Sequence, residues 1–570
     1  MQTARRLYVY LLSGISLGVL VTGLAMLLGL LFESLGLGPT GDPLFDRGEG
    51  MRQQLTVAAA ITAVGLPLWL AHWTAAERSV RPDRPTAAIE RTSDVRGLYF
   101  AIAMGALLLV TATALSSLIR ESILGATAPA DAYGDGIGGD IATLLVAGAA
   151  WAYHVWLRSR DWARGPMTGG GAALPRTYLY AAAFIGLWIF LTGFTSLMEL
   201  AGRAILGEPE VGFAPGESWW AYPLADAVSG IVVGGAVWVG HLLYARGLMR
   251  DTGWRGASER PARLRLAYFV VASVATAAAS LYLAGDAARN AIEALLGVSE
   301  ASGSQMAGLI ALPLLSSAAF GLTSFLHARA MEAEAAELGD EERVETVDRL
   351  RLYPLALVGL AFGAFGLAWL LGIVVDLVLP GGRLLSGGDA YRSELARFVP
   401  LTLLGLGLWF VRWREVGVRW TVDPSGEAAS TVRRAALLLV LAVGLLAGVA
   451  SLGYILYRLF GALFGVTSAG DPSTELSRAI GAVVVAAGVA AYHGILLRRD
   501  GTVRAGAEPP EVAGPGERVT VALVVRGPAG VDDGEVREAV RRALPAGYEL
   551  AEEAAPAIGR AEVDPDVAGA

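Results

Sequence analysis

Twelve predominantly apolar runs constrain this chain more than any other feature. They fall at about 8–32, 54–75, 97–119, 140–157, 177–199, 223–245, 265–285, 306–327, 353–378, 396–412, 434–457 and 478–497. Roughly 18 such residues can cross the ~30 Å hydrocarbon core of a bilayer as a helix. Backbone groups in hydrocarbon need internal hydrogen bonds, so spanning segments are helices or closed barrels. A barrel requires alternating segments of ~10 residues, a pattern foreign to these runs. Composition agrees: 54% of residues are hydrophobic and 17% charged, against roughly 25% charged in soluble domains. The first run, Leu7–Phe32, exceeds the ~7–15-residue apolar region of a cleaved signal peptide, so it reads as an uncleaved span.

The runs come in pairs. Each unit is span, polar loop, span, basic linker. Its first span opens on Arg then Tyr: Arg6/Tyr8, Arg96/Tyr99, Arg176/Tyr178, Arg265/Tyr268 and Arg351/Tyr353, with Arg433 and Arg434 but no Tyr in the sixth. Its second span closes on Trp69-x-x-His72, Trp151-x-x-His154, Trp238-x-x-His241, Ser324-x-x-His327, Trp409-x-x-Arg412 and Ala490-x-x-His493. All five histidines of the chain occupy this one slot, which points to duplication. The N-terminus and the linkers hold 26 Arg, and the loops inside the pairs hold 10. The positive-inside rule then places both termini and every linker in the cytoplasm, in the plasma (inner) membrane. Each unit enters and leaves on the same side, so the units are parallel repeats.

The expected fold is an all-α membrane protein of about twelve transmembrane helices, arranged as six tandem parallel two-helix repeats. The units run 1–90, 91–170, 171–260, 261–348, 349–430 and 431–500, followed by a linker over 501–516 and a partly disordered cytoplasmic tail over 517–570. In the tail, Val519–Val525 reads as a strand, Asp533–Leu544 as a short helix and Tyr548–Leu550 as a second strand, a small α/β appendage. The linker from Met331 to Asp348 carries eight acids and reads as a solvated helix. It and the tail are the places where a cytoplasmic protein partner would bind; the lipid bilayer is the other expected partner.

The Arg-x-Tyr openings and Trp-x-x-His closings resemble those of a bacterial family of integral membrane proteins, domain of unknown function 5671, over roughly residues 1–500. The resemblance implies a multi-pass membrane domain. It transfers no activity and no functional residue.

Several chemistries are excluded by residue type. The chain has no Cys, hence no disulfide, thiolate nucleophile or Cys-ligated metal. All 45 basic residues are Arg, which removes a phosphate-loop or Schiff-base lysine. A net charge of −8 does not suit a nucleic-acid partner. No hydrolase elbow, metalloprotease helix or phosphate loop is visible, and Asp131–Asp140 reads as a flexible turn without EF-hand spacing. No catalytic residue, metal site or cofactor is assigned.

Two sets of positions remain as candidates. His72, His154, His241, His327 and His493 share a helix face with the residue three before each. They admit three readings: interfacial anchors, buried tethers to a neighbouring helix, or functional groups in proton relay, pH sensing or haem ligation. Glu33, Glu121, Glu199, Asp286 and Asp376 end the first spans and form a candidate ring along an ion pathway, or simply the wet ends of helices. Gly14/Gly18, Gly230/Gly234, Gly359/Gly363 and Gly444/Gly448 read as helix-packing faces, while Pro67, Pro313 and Pro400 are candidate kinks. The expected role is that of a non-enzymatic scaffold or sensor, with a transporter or channel as the alternative and a histidine-dependent redox protein third.

Overall fold

The computed structural model describes residues 2–38, 47–127, 136–206, 219–299, 301, 303–378, 390–464, 472–506, 538 and 540–542. Twelve of its helices are long and apolar enough to cross a membrane, and each coincides with one of the expected runs. They are α1 (Gln2–Phe32), α2 (Arg47–Ser79), α4 (Asp94–Thr127), α5 (Gly138–Ala163), α6 (Gly169–Leu206), α7 (Ala221–Arg250), α9 (Arg263–Leu295), α10 (Gly303–Leu338), α11 (Glu341–Val378), α12 (Ala390–Val422), α14 (Thr431–Leu463) and α15 (Pro472–Gly506). Three short helices lie in linkers: α3 (Ala87–Arg91), α8 (Trp254–Glu259) and α13 (Pro424–Ala429). No strand occurs among the described residues. The expected appendage over 517–570 falls outside them, apart from Glu538 and 540–542, which are helical.

Consecutive long helices pack as hairpins: α1 with α2, α4 with α5, α6 with α7, α9 with α10, α11 with α12, α14 with α15. A longer rhythm overlies this one. The first helix of each quartet packs on its last, as α1 on α5, α6 on α10 and α11 on α15. The third helix of one quartet packs on the first hairpin of the next, as α4 on α6 and α7, then α9 on α11 and α12. We call the two ends of the bundle the linker end, rich in Arg, and the loop end.

Many large apolar side chains face outward; on α14, Leu438, Leu439, Val443, Leu445, Leu446 and Val449 are all exposed. A face this apolar is stable against lipid tails and unstable against water. Inside, small residues set the helix spacing. A Cβ on Gly359 would sit 2.5 Å from the Trp409 backbone nitrogen, and one on Gly193 would sit 2.8 Å from the Ala227 carbonyl. α11 therefore meets α12, and α6 meets α7, backbone to backbone, as small-residue faces allow. Gly18 has nothing within 4 Å of such a Cβ, and Gly444 meets its neighbours only at 3.6 Å. Half of the expected glycine faces thus make close crossings. Pro67, Pro313 and Pro400 lie inside continuous helices.

The acidic linker differs from its expected form. It is not one solvated helix: α10 stops at Gly339, whose φ of +67° ends the helix, and α11 starts at Glu341. Met331, Ala335 and Val347 are buried on its inner face. Four of its acids are ion-paired within the chain: Glu332 with Arg351, Glu334 with Arg265, Glu345 with Arg349 and Asp348 with Arg419. Alternating acids with small apolar residues gives this segment a packed face as well as a wet one, which a count of charges alone conceals.

Candidate functional site

Polar side chains buried in apolar surroundings are costly unless paired, so the bundle's internal polar groups mark its constrained positions. Many of them form two recurring systems; others, such as Ser280 with Ser317 and Asn290 with the Leu309 carbonyl, stand apart.

The first is a chain of ion pairs at the linker end of each quartet. In the first quartet, Arg6 grips Glu90 of α3 with two bonds, Nε to Oε2 at 2.9 Å and Nη2 to Oε1 at 2.8 Å. Four residues beyond Arg6, the Tyr10 hydroxyl accepts from Arg96 Nη1 at 2.8 Å. Arg96 also donates to Asp161 from Nε at 2.9 Å and to Glu77 from Nη2 at 2.8 Å. Arg96 is 1% exposed and Asp161 fully buried, so neither is shielded by water. The second quartet repeats the plan. Arg176 pairs with Glu259 of α8 at 2.8 Å, Tyr180 donates to the same Glu259 at 2.6 Å, and Arg265 pairs with Glu334 at 2.7 Å. In the third, Arg349 donates to Glu427 of α13 at 3.0 Å and Tyr353 to the same carboxylate at 2.7 Å. Arg433 then joins Tyr353 at 3.0 Å to Asp500 at 2.6 Å.

These contacts fix the register of the openings. Arg6/Glu90, Arg176/Glu259 and Arg349/Glu427 lie 84, 83 and 78 residues apart. The Tyr of this set stands four places after the Arg each time. In the fifth unit the opening residue is therefore Arg349, and Arg351, named from sequence, pairs instead with Glu332 at 2.9 Å. The carboxylates were missed from sequence, yet a signal was present. Asp161, Glu334 and Asp500 each stand seven places after a slot histidine, at His154, His327 and His493.

The second system contains the histidines. In all five, Nδ1 lies 2.7–2.9 Å from the carbonyl four residues earlier, on Leu68, Ala150, Val237, Thr323 and Val489. A carbonyl only accepts, so Nδ1 carries the proton and Nε2 of the neutral ring is an acceptor. The opening tyrosines supply the donor: Tyr99 to His154 at 2.9 Å, Tyr178 to His241 at 3.0 Å, Tyr268 to His327 at 3.1 Å. Two of these hydroxyls accept in turn from the slot tryptophan of the preceding unit, Trp151 to Tyr178 at 2.9 Å and Trp238 to Tyr268 at 3.0 Å. A directed relay of N–H, O–H and N–H donors thus ties α5, α6 and α7, then α7, α9 and α10. Elsewhere the slot departs from this plan. His72 is half-buried and meets the Tyr8 ring edge-on at 5.6 Å. Ser324, in the tryptophan place, donates to the Ser273 carbonyl at 2.8 Å. Arg412, in the histidine place, pairs with Glu415 at 3.1 Å. In the sixth unit Ala436 stands in the tyrosine's sequence place, and among the described residues the buried Nε2 of His493 has no hydrogen-bond partner.

The loop-end acids do not converge. Glu33 lines a cavity of about 510 Å³ among α1, α2, α4 and α5. Asp286 lines another of about 630 Å³ among α9, α11 and α12, with Arg289 at 3.4 Å and Arg397 on the wall. Glu199 is exposed and paired with Arg203. Asp376 is buried and accepts from Ser477 at 3.3 Å. Glu121 is half-buried on α4. Among the described residues, no three His, Asp or Glu side chains gather as they would around a metal ion.

No curated protein and no solved structure matches the chain. One family does, described as Domain of unknown function (DUF5671), at residues 6–149, 176–318 and 349–488. Each match covers four long helices, one quartet, and starts at or next to the arginine that opens an ion-pair chain. The chain therefore belongs to the DUF5671 family, whose model matches three successive stretches of it.

Proposed function

We propose that this protein is a non-enzymatic membrane scaffold: three tandem four-helix domains, each made of two hairpin units, locked into one another by buried polar tethers. One observation carries the reading. The strongly polar groups of the interior are directed at neighbouring helices, in the Trp–Tyr–His relays and the Arg–carboxylate chains, and so are spent on holding helices together. In this reading the five slot histidines are tethers or packing groups. The arginine imbalance supports a plasma-membrane orientation with both termini cytoplasmic. A flux assay tests the scaffold. Protein reconstituted into liposomes should leave proton, sodium and potassium gradients as stable as protein-free vesicles do. Dissipation of a gradient that ends on removing the protein's polar cavity groups would overturn it.

A transporter is the second reading, favoured by the cavity holding Asp286, Arg289 and Arg397 between the second and third domains. In that case Asp286→Asn should abolish any flux that is found.

A further inference from the structure

One cation stands apart from the pattern of paired arginines. Arg158, on α5, is 7% exposed, and among the described residues it makes no ion pair; Asp161, three places on, acts on it only at longer range and is bonded to Arg96. Its Nη2 donates to the Gly171 carbonyl at 2.9 Å, its Nε is buried without a partner, and its guanidinium stacks near the Trp162 ring at 5.3 Å. The site is peculiar to the first domain. The equivalent positions, four after the slot histidine, are Met331 and Leu497, and Met331 is core. A buried guanidinium where the sister domains carry a hydrophobic side chain is costly unless an anion completes it.

The surroundings say what kind of anion. Arg158 lines a cleft of about 360 Å³ between the first and second domains, formed by α4, α5, α6 and α7. Arg176 also stands on its wall, though its charge is matched by Glu259. The rest is mostly apolar, with Leu108 and Leu115 of α4 and Val237 and Gly240 of α7, and Thr111, Tyr178, His241 and Tyr244 add further polar atoms. Along α7 the lining extends from Val233 to Leu248, about 22 Å at 1.5 Å per residue. One leaflet offers about 15 Å of hydrocarbon, half the ~30 Å core, with headgroups beyond. The cation sits at the linker end of this slot, and the greasy part runs toward mid-depth.

We propose that this cleft binds one anionic phospholipid, its phosphate on Arg158 and an acyl chain along the α4–α7 wall. A phosphate oxygen supplies the acceptor that the guanidinium lacks, and the chain fills the apolar remainder.

Native mass spectrometry of the full-length protein in detergent tests this with phosphatidylglycerol, phosphatidylcholine and inorganic phosphate as probes. Two variants serve. Arg158→Met installs the second domain's own residue and should fold. Gly240→Phe fills the cleft and leaves the cation in place; a Cβ there meets nothing within 4 Å. We expect phosphatidylglycerol to be retained at least tenfold more than phosphatidylcholine, each variant to lower that retention at least tenfold, and inorganic phosphate to leave no adduct. Undiminished retention by Gly240→Phe would overturn the proposal, whether or not Arg158→Met folds. So would equal retention of the two lipids, or phosphate binding as well as the lipid does. Liposome flux plays no part in this readout, so the scaffold reading and the lipid site can fail separately.

Discussion

Taking Asp161 out of the first ion-pair chain strands Arg96 in apolar packing beside Phe100, with only Glu77 and the Tyr10 hydroxyl left to it. Breaking a buried pair from one side costs about 3–5 kcal/mol, whereas replacing both partners by apolar groups is often near neutral. Asp161→Ala should therefore lower the midpoint of thermal unfolding in detergent strongly, and Arg96→Met combined with Asp161→Leu should recover much of the loss. A double variant as unstable as the sum of its singles would show the two residues to be independent. The histidine relays are worth less. Polar bonds between membrane helices average about 0.6 kcal/mol and reach about 1.7. Tyr268→Phe removes the donor to His327 and the acceptor of Trp238 together, for a loss of about 1–2 kcal/mol on that scale. His493, which has no such donor, provides the comparison: Ala436→Ser should leave stability within a few tenths of a kcal/mol, since a serine hydroxyl is too short to reach where a tyrosine would. Which imidazole nitrogen carried the proton was not legible in the sequence, because it depends on a carbonyl four residues back and a tyrosine on another helix.

At the scale of a helix, the crossing of α11 and α12 rests on the absence of a side chain. Gly359→Leu must push apart backbones that leave no room for a Cβ. Overpacking of that kind costs about 1–3 kcal/mol or more, whereas Gly18→Leu, in open space, should be tolerated; a shared detergent-melting assay compares them. The short linker helices are held by charge, and α13 by a side-chain cap as well. Asp423 accepts from the Gly426 N–H at 2.9 Å and from the Ser425 hydroxyl, and the Gly426 bond holds its carboxyl below the usual range. A depressed carboxylate stabilises the fold above its unfolded value and loses that contribution as pH falls through the folded one. The start of α13 should accordingly fray only in acid, and Asp423→Asn should remove that pH dependence, as amide exchange at Gly426 would report. All twelve spans were readable because apolar length alone decides them. The short helices α3, α8 and α13 were not. They have five or six residues each and exist because Glu90, Glu259 and Glu427 dock onto arginines far away in sequence.

For the whole molecule, the closing slot recurs once per hairpin in the sequence, whole as Trp-x-x-His only in the first three, and so conceals the larger period. The four-helix rhythm is written in positions that alternate from hairpin to hairpin: a linker acid after the second span of each four, and a closing acid seven places after every second slot position. Reporter fusions at the two ends should signal from the same face of the membrane; opposite faces would break the even count of crossings.

Each quartet hands its third helix to the first hairpin of the next, so among the described residues the main interfaces are sequential, like those of beads threaded on a cord. Drawn upward out of a bilayer by one end, such a chain should surrender in stages. A force-extension trace would then carry three principal rips, one per bead, where a body closed upon itself would yield in a single event.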